Sequence, residues 1–209
     1  MMNQHFLKII NSQDSEAQFQ LANALFEGEE MQKDDARALQ LYERAAQLGH
    51  ADALNNAADM YLNGEGTAVN YNKARALFEE AASRGVAEAY FTLAMMYETA
   101  LGVPHDAQLA LHYYEQAAVL GDVEAVYYLG MIYYEGLLHV ACDEQKAKHF
   151  FIEAAAHGHV DALFNCGYFY EHGIGSNRDV QKAISFYSEA ALLGDEQAKH
   201  RVHALRTSE

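Results

Sequence analysis

Residues 153–163 read EAAAHGHVDAL, and nearly the same phrase stands at 43–54 (ERAAQLGHADAL), 80–90 (EAASRGVAEAY) and 115–126 (EQAAVLGDVEAV). The glycine of the phrase falls at Gly49, Gly85, Gly121, Gly158 and Gly194, in steps of 36, 36, 37 and 36. An alanine keeps the same step at Ala53, Ala89, Ala125, Ala162 and Ala198, and Ala17 extends the series backwards to a first repeat. A fixed period of this length marks an array of supersecondary units, each burying its apolar face against the next.

Within each repeat the apolar spacing is helical twice. From Ala125, the side chains of Ala125, Leu129, Ile132 and Tyr133 recur at intervals of three and four and share one helix face. This predicts a helix A. After a connector, Ala147, Phe150, Phe151, Ala154 and Ala155 make a second stripe, helix B. Gly28, Gly64, Gly136 and Gly173 stand where helix A should stop, and Gly49 with its successors where helix B should stop. Glycine enters the left-handed conformation of a helix end without a Cβ clash. The pairs Ala45–Ala46, Ala81–Ala82, Ala117–Ala118, Ala154–Ala155 and Ala190–Ala191 leave room for helices to approach closely.

These residues resemble the Sel1-like repeats, a subclass of tetratricopeptide-like α/α repeats. The likeness lies in A-x-x-x-L-G-x-x-Y-x-x-G of helix A (Ala125, Leu129, Gly130, Tyr133, Gly136), a G-x-G connector (Gly64 and Gly66, Gly173 and Gly175), K-A-x-x-[LF]-[YF] opening helix B and A-A-x-x-G closing it. The resemblance implies an all-α, right-handed α/α superhelix of about five helix-turn-helix repeats. Their expected bounds are about 15–50, 51–86, 87–122, 123–159 and 160–195, after an N-terminal extension over 1–14 and before a capping helix over 196–209. Two departures stand out. The third repeat has Ala100 in place of the terminal glycine of helix A. The fourth has lost the second connector glycine, reading GLLHVACD from Gly136, and its extra residue lies there.

With 30 acidic against 14 basic side chains the formal charge is −16, so the averaged field repels nucleic acid and anionic lipid and favours basic partners. The N-terminal FLKII patch is a poor secretory signal, and no stretch approaches the roughly 18 apolar residues of a membrane span. With only Cys142 and Cys166, the expectation is a soluble, cytoplasmic monomer with free thiols.

Catalytic signatures are missing: the sequence has no G-x-S-x-G, H-E-x-x-H, G-x-x-x-x-G-K-[ST] or EF-hand loop. The NGEGTAVN stretch at 63–70 reads as a helix linker, because a phosphate cradle would need a lysine and a preceding strand. His139, Cys142, Cys166 and His172 are ligand types zinc accepts, but Cys166 is in phase with Leu129 and so reads as core. His157, His159, His200 and His203 read as solvated residues near helix ends. No cofactor and no metal is expected.

The family resemblance implies adaptor or scaffold proteins that bind other proteins, with helix A lining a concave surface. In phase, its first ligand-facing column is Phe19, Asn55, Phe91, Tyr127 and Phe164. The second is Asn23, Asp59, Met95, Met131 and Tyr168, and the third is Phe26, Leu62, Glu98, Tyr134 and Glu171. Aromatics backed by methionines, with acids between them, would suit an extended peptide or a helix; the same rings could instead be inner core under tight curvature. The columns hold no lysine or arginine, so a basic clamp for a terminal carboxylate is not visible. The leading reading is non-catalytic protein binding in the groove. The second is a regulatory or positioning subunit of an enzyme complex or signalling pathway, and an enzyme in its own right ranks third.

Overall fold

The computed structural model describes Ile9, residues 12–28 and residues 32–207. The expected N-terminal extension therefore lies mostly outside the described residues, as do the last two residues of the cap. The described residues form eleven helices, all-α as the periodicity predicts. These are α1 (Ser15–Glu27), α2 (Asp35–Gln47), α3 (Ala51–Asn63), α4 (Tyr71–Ser83), α5 (Ala87–Thr99), α6 (Ala107–Val119), α7 (Val123–Glu135), α8 (Glu144–Ala156), α9 (Val160–His172), α10 (Val180–Leu192) and α11 (Glu196–Thr207). They fall into two compact units, Met1–Asp106 and Ala107–Glu209. The first unit carries α1–α5 and the second α6–α11.

The recurring phrase is the joint between repeats. In EAAAHGHVDAL, Ala154 and Ala155 end α8, the His159 amide returns to the Ala154 carbonyl at 3.2 Å, and the His159 side chain caps α9 by accepting from the Ala162 amide at 3.2 Å. The same return closes α2 onto α3 through His50 and Ala45 at 3.0 Å. Such side-chain caps satisfy amides that have no partner inside the helix. Asp14, Asp34, Asn70, Asp122, Asp143 and Asp179 do the same for their helices.

Each hairpin is closed by a second bond, from the N-cap amide of helix B to a carbonyl near the end of helix A: Asp34 to Leu25, Asn70 to Tyr61, Asp106 to Tyr97 and Asp179 to Tyr170. The fourth repeat makes the corresponding bond, Asp143 to Tyr133 at 2.8 Å, around a loop one residue longer. The extra residue is absorbed by Leu138 and His139, which both take positive φ, 52° and 63°. The insertion is thus confined to the connector, and the helices on either side keep their pairing.

The core of each unit is a large side chain on helix B set against a small one on helix A. Tyr42 and Phe78 in the first unit, and Tyr114, Phe151 and Tyr187 in the second, are almost fully buried and stand in phase with one another. A Cβ built at Gly167 would lie 2.7 Å from the Tyr187 ring, and one at Gly130 would lie 2.6 Å from Phe151. The glycine of the L-G pair is therefore a spacing requirement, as dense interiors leave no room for the extra carbon. The lysine that opens helix B lies over an aromatic of helix A: Lys73 on Tyr61 at 4.1 Å, Lys146 on Tyr133 at 4.8 Å and Lys182 on Tyr170 at 5.2 Å.

Candidate functional site

The helix A columns do not share one environment. In the first column, Phe19, Asn55, Phe91, Tyr127 and Phe164 are all half-buried. Phe19 stacks on the His50 ring at 4.1 Å and leans on Tyr42 at 5.8 Å. Tyr127 repeats the arrangement in the second unit, stacked on His159 at 4.3 Å and tilted on Phe151 at 5.7 Å. Phe164 meets Tyr187 at 5.2 Å. These rings are held by helix B and by the cap of the following repeat, with part of each left accessible.

His159 is not a solvated helix-end residue, and His50 holds the same place in the first unit. Each buries its ring against a column aromatic, caps the next helix through Nδ1, and faces a carboxylate with Nε2, Glu16 at 3.2 Å and Glu124 at 3.3 Å. His157 is exposed as expected.

In the second column Met95 and Tyr168 are exposed, at 39% and 38%, while Asn23, Asp59 and Met131 are half-buried. Tyr168 packs beside His172 at 4.4 Å. The third column divides most sharply. Phe26, Leu62, Glu98 and Tyr134 are half-buried, but Glu171 is only 7% exposed. Its carboxylate accepts from the Tyr187 hydroxyl at 2.9 Å and pairs with Arg201. Glu171 is thus a correction to the groove set: the structure uses it to hold three helices together and withdraws it from the surface. The signal that could have found it is Arg201, but in sequence the separation of the two is 30 residues.

The first unit brings Asn23, Phe26 and Glu27 of α1 together with Tyr42 of α2 and with Asn56 and Asp59 of α3 around a cavity of about 310 Å³. Met60 of α3 and Glu65, from the connector after α3, complete the lining. Tyr42 donates to the Asn23 side-chain oxygen at 2.7 Å, and the Asn55 amide donates to Asp59 at 3.3 Å. Burial, with the Glu65 charge adding to it, pushes the Asp59 carboxyl up to about 6. Of these residues only Asn23, Phe26 and Asp59 lie in the columns. Glu65 sits in a connector, where helical phase says nothing about direction.

The four zinc-type residues named from sequence do not gather. Cys166 is fully buried, with its thiol pushed by that burial up to about 12, whereas Cys142 is exposed, and both are free. Among the described residues no group of three or more His, Cys, Asp or Glu side chains is placed to hold a metal ion. Nor is any described helix long and apolar enough to cross a membrane.

The Sel1 repeat family model matches residues 15–50, 51–86, 87–122, 123–159 and 160–195. A Sel1 repeat protein from Oxalobacter formigenes superposes with a TM-score of 0.84 at 25% identity, covering 99% of this chain and 94% of that one. A protective antigen of uropathogenic Escherichia coli with an SLR fold gives 0.80 at 26% identity, covering 92% of this chain. The chain spans only 41% of that antigen's length. An immunity protein from Pseudomonas aeruginosa, at 24% identity and a TM-score of 0.59 over 88% of this chain and 66% of that one, shares the fold. No curated protein sequence matches the chain.

Proposed function

Because the chain belongs to the Sel1 repeat family, whose members are generally protein-interaction modules, we propose that it is a non-catalytic scaffold that binds a protein or peptide through the helix A faces of its two units. The observation that carries this reading is the exposure of Met95 in the first unit and Tyr168 in the second, both in the second column, between first- and third-column rings that are half-buried. A large apolar side chain held at the surface beside partly covered aromatics gives a partner adaptable contact area, and such anchors dominate protein interfaces. The acidic balance favours a basic partner. The two free thiols fit a reducing compartment, which in this reading is the cytoplasm.

The test is selection of random displayed peptides on the intact chain, followed by affinity measurements against Met95→Ala and Tyr168→Ala. Both side chains are exposed, so the variants should keep the native melting temperature. Loss of a good anchor costs about 2 kcal/mol, or more than tenfold in affinity. Selected ligands that bind the double variant as tightly as the wild type would overturn the helix A assignment.

A further inference from the structure

We infer that the cavity between α1, α2 and α3 is a receptor for one cationic side chain, lysine or arginine, of a partner polypeptide. The inference rests on the protein-binding reading above and adds to it the chemistry of one contact. The cavity's size, about 310 Å³, is at the small end for ligand pockets. Its lining is mixed in a particular way. Phe26 is the accessible apolar side chain, Met60 being buried, while Asn23 and Asn56 offer amides and Glu27, Asp59 and Glu65 bring three carboxylates, with no basic side chain in the lining.

That combination selects the occupant. The carboxylates are not grouped to ligate a metal ion. They suit instead a charge carried on an apolar stem, which is the form of a lysine or arginine side chain: the stem lies along Phe26 and the charged head meets acid and amide oxygens. An aromatic ring beside the head adds a cation–π contact. A cation is accommodated against that ring from outside the lining, where the Lys33 ammonium lies 4.9 Å from the centre of Phe26 while pairing with Asp35 at 3.3 Å. Anionic ligands are disfavoured both by the cavity and by the chain's charge of −16.

Asp59 supplies a second signature. Its carboxyl, pushed up to about 6 by burial, gives up its proton when a cation arrives, because the opposite charge favours the ionised form. Affinity for the cation therefore rises severalfold between pH 5 and pH 7.5, with proton release on binding.

The experiment is a titration of the full chain with N-acetyl-arginine amide, read by amide NMR spectra, beside its neutral citrulline counterpart. The expected result is saturable shifts centred on the Asn23 and Asn56 side-chain amides, absent with citrulline. In Asp59→Asn/Glu65→Gln, shown by circular dichroism to be folded, binding should weaken at least about tenfold, as loss of charged hydrogen bonds predicts. Shifts spread evenly over the acidic surface, reproduced by citrulline or unchanged in the variant would overturn the assignment. Display-selected peptides separate the two proposals. If they bind in a way that depends on Met95 and Tyr168 but not on Asp59 and Glu65, the cavity assignment falls and the protein-binding reading stands.

Discussion

The guanidinium of Arg201 on α11 closes on the carboxylate of Glu171 on α9, while the Tyr187 hydroxyl of α10 donates to that carboxylate at 2.9 Å. Three consecutive helices of the second unit meet at one buried charge. The last helix is therefore more than a polar cover over an open end. It neutralises an acid that the preceding repeat has already taken out of water, and it adds Ala198 and Leu205 to the core.

Removing Arg201 should cost more than a surface ion pair normally does, because Glu171 stays buried without its partner. Arg201→Ala is expected to destabilise the protein by about 1–3 kcal/mol, the range for leaving a buried polar group unsatisfied. Glu171→Gln in the same chain should recover part of the loss, since the amide needs no counter-charge. Urea denaturation of the two single variants and the double variant measures the coupling; additive losses would mean that the pair carries no interaction energy.

Ala100 ends α5 with φ 57°, and its amide still donates to the Met96 carbonyl. The in-phase residues Gly28, Gly64, Gly136 and Gly173 take the same left-handed conformation at φ 71° to 76°. An L-residue pays for this with a close approach of its Cβ to the carbonyl oxygen, roughly 1–2 kcal/mol. Ala100→Gly should stabilise by about 1 kcal/mol, because glycine's greater freedom in the unfolded chain offsets part of the relief. A higher denaturation midpoint with an unchanged slope is the expected reading.

Asp59 makes stability depend on pH in the unusual direction for a carboxylate. Its folded pKa of about 6 lies above the unsupported value of 3.8, so between the two the folded state binds more protons than the unfolded state. Stability from this group is therefore greatest at low pH and falls as pH rises through about 6. Asp59→Asn removes the ionisation. At pH 7.5 it should be more stable than the wild type by about 1–2 kcal/mol after allowance for partial solvent access, and the difference should be small near pH 4 and vanish below the unfolded value of 3.8. Paired melting curves at the two pH values check it; a variant less stable than the wild type at pH 7.5 would contradict the assigned environment.

The sequence alone determined the array. A period of 36 or 37 residues is written into the covalent chain, and the helices, their αL ends and the A–A–x–x–G joint follow from spacing, propensity and hydrogen bonds made within one repeat or across one joint. Even the insertion after Gly136 was legible, because a helical phase that resumes on schedule confines the extra residue to the connector. The environment of the candidate site was decided by the tertiary structure. Phase assigned Glu171 and Met95 equally to a concave face, yet one is closed off by Arg201, 30 residues away, and the other is exposed. His159 read as a solvated residue, but its ring stacks on Tyr127, as the His50 ring does on Phe19. Glu65 entered the cavity from a connector whose direction no periodicity constrains. Helical phase fixes the direction in which a side chain leaves its own helix, but burial and charge compensation depend on atoms supplied by other repeats, and those are settled only when the helices pack.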